Sequence, residues 1–384
     1  MALELSTITF TDQADIVPPS GEKEVLINTG IANTLAGDDI LNGETGDLGN
    51  ISDPLMLNGI FNLDASRLNT GNGNDILTGI SNNVNNYYWN QGNGIYNQGT
   101  IETGNGNDII TGIHQIDSFD SGIFQLAATI DTGNGNDLIA GSSSRGGTGI
   151  QNILDSTINT GDGNDTITGT GNGFVGISNF SSILETGDGN DRIIGNSNSD
   201  NIGIRNTIGL IDTGEGNDII TGINGISNSE STINTRNGDD SIISEGNFSN
   251  YNGSIETGEG NDIITSTGVI YNDGVINTGN GDDLIIANEG FESGFNSSGA
   301  WFLGEGEDYI KGFGSGDFYG GEGLDILELT PGSYTVGIWG EEGKSPIFTK
   351  GNQLMITSEF EILLAGGTVY DFASLTAGQI IVVA

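Results

Sequence analysis

The sequence predicts an all-β chain wound as a parallel β-helix, or β-solenoid, with one ligand-bearing turn per coil and a β-rich C-terminal cap. Three observations lead there. Gly-x-Gly-x-Asp recurs ten times, from Gly71-Asn-Gly-Asn-Asp75 to Gly321-Glu-Gly-Leu-Asp325, and the degenerate copies Leu35-Ala-Gly-Asp-Asp39 and Arg236-Asn-Gly-Asp-Asp240 make twelve. An apolar residue stands two places after almost every Asp, as in Leu77, Ile110, Ile139, Ile167 and Ile193. Successive Asp residues are one coil apart, from 33 residues between Asp75 and Asp108 to 21 between Asp262 and Asp283. A fixed supersecondary unit repeated at that period is the mark of a solenoid.

Residues 1–34, with Pro18-Pro19 and no copy of the turn, are expected to cap the first coil. An uncapped coil would expose a β edge. Residues 35–329 form the repeats. Each coil reads as a Gly-Ile-x-Asn segment (Gly94-Ile-Tyr-Asn97, Gly176-Ile-Ser-Asn179, Gly203-Ile-Arg-Asn206), an apolar-x-Thr segment, the turn, an Asp-Ile-Ile-Thr-Gly segment and a variable return. Alternation within each segment predicts three short strands with Ile facing inward. Stacked at ~4.8 Å, twelve rungs would span on the order of 55 Å. Two ladders are expected at the bends: Thr70, Thr103, Thr132, Thr160, Thr186, Thr213, Thr235, Thr257 and Thr278, and Asn62, Asn97, Asn152, Asn179, Asn206, Asn228 and Asn272. Both read as stacked side-chain hydrogen bonds. Length variation falls in the return, as at residues 81–91. The turns tighten after Gly304, with Asp308, Asp317 and Asp325 nine and eight residues apart. Residues 330–384 are rich in Val, Ile, Leu and Phe and are expected to form a β-rich C-terminal cap.

The turn has the chemistry of a calcium site. Glycine permits positive φ, so carbonyls can turn toward a common point, and Asp adds a hard anionic oxygen. The candidate ligands are Asp39, Asp75, Asp108, Asp137, Asp165, Asp191, Asp218, Asp240, Asp262, Asp283, Asp308, Asp317 and Asp325. Carboxylates one rung apart repel by ~1 kcal/mol in water, and by several times that at lower effective dielectric. A divalent ion between rungs reverses the sign. Calcium accepts six or more oxygens in a flexible cage, whereas magnesium dehydrates reluctantly, so on the order of ten calcium ions are expected. One His and no Cys give transition metals few ligands.

Composition narrows the partners. Fifty-two acidic against nine basic residues leave a formal charge of −43, which repels nucleic acid and anionic membranes. The absence of cysteine excludes disulfides and thiolate metal sites. No stretch approaches the ~20 apolar residues of a membrane helix. Met1-Ala-Leu-Glu-Leu5 lacks the basic and apolar regions of a cleaved secretory signal.

These residues resemble the RTX (repeat-in-toxin, hemolysin-type) family, whose nonapeptide is Gly-Gly-x-Gly-x-Asp-x-apolar-x. The match is closest from Gly304-Glu-Gly-Glu-Asp308 to Gly320-Gly-Glu-Gly-Leu-Asp-Ile-Leu327, and the resemblance extends over residues 35–329. It implies calcium-driven folding outside the cell and type I secretion through an uncleaved C-terminal signal. The segment Val369–Ala384 is similar in character to such signals. It also implies an extracellular or cell-surface location. The family's β-rolls bind ions at both edges of a short coil. The longer coils here carry one turn each, so a single calcium edge is expected.

A secreted, non-enzymatic structural or adhesive role is the expectation, with calcium, and surface polysaccharide or further copies of the chain, as partners. His114 is the only His, so a His-Glu-x-x-His zinc protease is excluded. His114 itself reads as a surface-loop residue. One alternative is a polysaccharide lyase or epimerase, with Tyr87, Tyr88, Trp89, Tyr96 and His114 in neighbouring loops as its aromatic cluster. Another is an ice-binding adhesin-like module. Against it, the place between the turn glycines holds Asn72, Asn105, Asn134, Asp162, Asp188, Glu215, Asn237, Glu259 and Asn280, and never Thr.

Overall fold

The computed structural model describes residues 2–19, 21–45, 57–82, 92–117, 119–198, 201–294, 299–340 and 345–384. The chain divides into two units. One comprises Met1–Gly214 and Ile220–Asn224, the other Glu215–Ile219 and Gly225–Ala384. Both are coils of a parallel β-helix.

In the first unit the period-two segments are strands. One coil runs through Ile95–Asn97, Thr100–Glu102 and Ile109–Asp117. The next runs through Ile123–Leu126, Thr129–Asp131 and Leu138–Arg145. Each strand pairs in parallel with its counterpart one coil on, matching Ile95 to Ile123, Ile101 to Ile130 and Ile110 to Ile139. All six isoleucines are fully buried. Three sheets therefore enclose one core that takes an inward apolar residue from each strand, worth ~1.5–3 kcal/mol per side chain buried. The third strand meets the first at a glycine corner. A Cβ on Gly112 would lie 2.2 Å from the Gly122 carbonyl oxygen, so no larger residue fits. Strands continue into the first 34 residues: Ala2–Glu4 pairs with Val25–Asn28, and Ile16–Val17 pairs with Ile40–Glu44.

The bends carry the two expected ladders. Asn28 donates Nδ2–H to Asn62 Oδ1 at 2.8 Å, and Asn62 donates likewise to Asn97 at 2.8 Å. The next place is filled by Gln125, which accepts from Asn97 at 2.8 Å and donates to Asn152 at 2.9 Å. Thr103, Thr132 and Thr160 each donate Oγ–H to the carbonyl of the next Thr, at 3.2 Å.

The second unit repeats this plan. Ile226–Ser229, Thr232–Asn234 and Ser241–Glu245 pair in parallel with Phe248–Tyr251, Ser254–Glu256 and Ile263–Ser266. Beyond Leu329 the pairing becomes mixed. Gly332–Trp339 runs antiparallel to Ser345–Lys350 and to Ile380–Val383. Gln353–Ser358 and Ile362–Ala365 instead add in parallel to Gly316–Gly323 and Ile326–Leu329, covering the last coil. Larger rings fill this end of the core, with Trp301 and Phe318 stacked at 5.3 Å. No described helix is long and apolar enough to cross a membrane.

His114 is not a loop residue. It occupies an inward position of the strand Ile109–Asp117, opposite Ser81 and Ser143, and is 1 % exposed. Its Nδ1–H donates to the Gly92 carbonyl at 2.5 Å. The return segment extends the strand, and the inward alternation carries the ring into the interior. Tyr96 stacks between Phe61 and Phe124, at 5.0 and 5.1 Å. Tyr87, Tyr88 and Trp89 lie outside the described residues.

Candidate metal centre

Each Gly-x-Gly-x-Asp turn joins the second strand of a coil to the third, and the Asp is its last residue. Burial alternates through it. In Thr103-Gly-Asn-Gly-Asn-Asp108, Thr103 and Asp108 are buried while Asn105 and Asn107 are exposed. The glycines hold the turn open to its neighbours. Gly106 has φ +147°, and a Cβ there would lie 1.6 Å from the carbonyl oxygen of Gly73, one coil below. That carbonyl therefore points along the stack.

The Asp residues form a column within each unit. In the first, the main-chain N–H of Asp39 donates to Asp75 Oδ1 at 2.8 Å, and Asp75 donates likewise to Asp108 at 2.8 Å. Asp108, Asp137 and Asp165 donate to Asp137, Asp165 and Asp191, each at 2.7 Å. In the second unit the same bond links Asp218 to Asp240, Asp262, Asp283, Asp308 and Asp325 in turn, at 2.8–3.0 Å. All of these residues are at most 2 % exposed. Their carboxylates are thus fixed by one oxygen. The other oxygen, Oδ2, is buried without a hydrogen-bond partner in Asp39, Asp75, Asp108, Asp137, Asp165, Asp240, Asp262, Asp283, Asp308 and Asp325.

Burial weakens the acidity of the column. Desolvation pushes Asp75, Asp108, Asp137, Asp191, Asp240 and Asp325 up to about 6. It pushes Asp165, Asp283 and Asp308 up to about 7. The hydroxyl of the Thr that opens the turn, Thr70 for Asp75, and the accepted N–H bonds offset part of this shift, and neighbouring carboxylates add to it in most of the column, as Asp108 does for Asp75. A buried charge needs pairing or a metal. Unpartnered carboxylate oxygens at successive levels, in turns whose glycine carbonyls point along the stack, fit a hard cation bound through oxygen. Among the described residues there is no group of three or more His, Cys, Asp or Glu that could hold an ion by itself. Main-chain oxygens or water would therefore have to complete any coordination shell.

Asp317 stands apart from the column. It lies on the strand Gly316–Gly323, opposite Ala300 and Ile356, rather than in a turn.

Two features escaped the sequence reading. The residue before most of these Asp residues forms a second, exposed ladder of opposite sense: Asn107 donates its N–H to Asn74 Oδ1 at 2.8 Å, and Asn136 donates to Asn107 at 2.7 Å. The recurrent Asn-Asp pair was its signal. The column also extends past the glycine-rich turns. Asp15 donates its N–H to Asp39 Oδ1, and Asp325 donates to Glu361 Oε2 at 2.9 Å. Asp15-Ile-Val17 and Glu361-Ile-Leu363 keep the acid-x-apolar pattern but lack the glycines.

No family model and no curated protein matches the chain. Among solved structures it is similar to a hyperactive, Ca2+-dependent, beta-helical antifreeze protein from an Antarctic bacterium. The two share 20 % identity over 94 % of each chain, with a TM-score of 0.45. A likeness at that level carries no weight for function.

Proposed function

We propose that the chain is a non-catalytic, calcium-stabilised β-solenoid whose Asp column is held by cations between rungs, serving a structural or adhesive role outside the cell. The single observation that carries this reading is the column of buried, unpartnered Oδ2 atoms, from Asp39 to Asp165 and from Asp240 to Asp325. The cation supplies positive charge that a chain of formal charge −43 otherwise lacks at these positions. Asp Oδ2 atoms from adjacent levels and turn carbonyls such as that of Gly73 would hold it. Calcium suits this set better than magnesium because carboxylates and carbonyls must supply the shell with little water. Kinship with RTX-type repeats, type I secretion and a cell-surface location belong to the same proposal. Their support is the Gly-x-Gly-x-Asp turn followed by an apolar strand.

Calcium titration of the chelator-stripped protein tests it. On the order of ten ions per chain are expected, and magnesium should compete poorly. A protein that binds no calcium contradicts the reading.

One observation favours ice binding as a second reading. In the first unit the turns present two exposed columns, Asn72, Asn105 and Asn134 beside Asn74, Asn107 and Asn136, with Asn105 bonded to Asn72 at 2.7 Å. This places regularly spaced amides along one edge, although Asp162 and Asp188 end the uncharged stretch. Thermal hysteresis of the calcium-loaded protein decides between the two, and its absence removes this reading.

A further inference from the structure

We propose that Glu361 and Asp325 form a terminal cation site, and that the ion bound there docks residues 353–365 onto the last coil. This rests on the cation reading of the column.

Glu361 takes the place that an Asp holds in every lower rung. Its Oε2 accepts the Asp325 N–H at 2.9 Å, as Asp325 Oδ1 accepts that of Asp308 at 3.0 Å. The next residue, Ile362, donates its N–H to the Asp325 carbonyl at 3.0 Å, as Ile326 does to Asp308 at 2.8 Å. The strand that follows pairs in register, Leu363 on Leu327, and both are fully buried. Residues 359–363 are therefore a further rung built without glycine.

Two oxygens converge there, and an exposed carboxylate held at the Asp325 N–H borders them. Asp325 is fully buried and its Oδ2 has no partner. A Cβ on Gly320 would lie 2.6 Å from that Oδ2 and 2.0 Å from the Glu359 carbonyl oxygen, so the two atoms converge over a space that only glycine leaves open. The bordering carboxylate is that of Glu361. Glu359 adopts φ +63°, in the left-handed region that favours glycine. Strained backbone of this kind persists where the surroundings fix it. Between Glu359 and Glu361, Phe360 is buried and stacks on Phe372 at 5.7 Å, fastening the turn to the C-terminal segment. A mere end to the hydrogen-bond ladder would need one acceptor oxygen. It would need neither the second carboxylate nor the convergence over Gly320.

The test uses the full chain and calcium alone. Glu361→Gln keeps an acceptor for the Asp325 N–H but removes the charge. Against wild type it should bind one calcium fewer, and residues 353–365 should exchange amide hydrogen about tenfold faster in calcium, with lower coils unchanged. Glu361→Asp, which restores the charge, should recover the ion. The exposed Glu322→Gln should match wild type. An unchanged ion count and unchanged protection in Glu361→Gln, or a Glu361→Asp chain that folds without recovering the ion, would overturn the proposal while leaving the column intact. A wild-type protein that binds no calcium would instead overturn the column reading itself.

Discussion

Asp15 donates its main-chain N–H to Oδ1 of Asp39 across 2.7 Å, the bond that later rungs within each unit repeat. The carboxylate of Asp15 is itself held, because its Oδ2 accepts the Thr11 N–H at 2.8 Å. The column therefore starts from a carboxylate already satisfied by protein donors, and oxygens free for a cation begin at Asp39.

Position in the column should set the cost of losing an Asp. Asp137 lies between Asp108 and Asp165 and would serve ions on both sides, whereas Asp39 borders the satisfied Asp15. Asp137→Ala should lose two calcium ions and Asp39→Ala one. Asp137→Ala also strips the Asp108 N–H of its acceptor, costing ~1–3 kcal/mol beyond the lost ions. Equal calcium titrations for the two variants would contradict a shared-ligand column.

The turn glycines should resist substitution. A Cβ on Gly106 would stand 1.6 Å from the Gly73 carbonyl at a φ of +147°. Gly106→Ala must therefore displace main chain as well as strain its own, at ~1–3 kcal/mol for the strain alone. Urea denaturation in saturating calcium should register that loss. Near-wild-type stability would mean that the turns are not stacked this closely.

Gln125 offers a test of the side-chain amide ladder. Gln125→Leu removes the acceptor of Asn97 and the donor to Asn152 Oδ1 and the Thr157 carbonyl. Buried polar groups left unmatched cost ~1–3 kcal/mol each. Gln125→Asn restores the residue used in the neighbouring coils and should cost far less. The order of the two melting temperatures is the readout.

The pH dependence should change sign with calcium. Without a cation, Asp75, Asp108 and Asp137 titrate near 6, and Asp165, Asp283 and Asp308 near 7, against a reference of 3.8. The folded chain then holds more protons than the unfolded chain between about pH 4 and 7, so stability falls as pH rises through that window. Bound calcium favours the ionised form, and acidification should then destabilise. Melting temperatures at pH 5 and pH 8, with chelator and with calcium, should run in opposite directions. Parallel trends would contradict the assignment.

Most of this arrangement is legible in the sequence because stacking makes each coil report the same environment. Ile101 and Asp108 face the core and the column for the same reason as Ile130 and Asp137, so periodicity alone locates them. What escaped the reading is whatever fills a repeated place with a different residue. Gln125 stands in an Asn ladder because its side-chain amide makes the same bonds. Asp15 and Glu361 continue the column without glycines, Glu361 after a left-handed Glu359. Asp317 shows the converse: close spacing to Asp308 and Asp325 suggested a further turn, yet the chain passes it as extended strand. His114 followed strand alternation inward where the variable return suggested a loop.

The central claim is that cations hold the Asp column together, and circular dichroism of the full chain with and without chelator tests it most directly. In millimolar calcium the spectrum should be that of a β protein with a cooperative melt. With excess EDTA at low salt, near pH 8, the β signal should fall and the chain expand, because unpaired carboxylates are then buried at successive levels. An EDTA-treated protein with the same spectrum and the same melting temperature would contradict the claim.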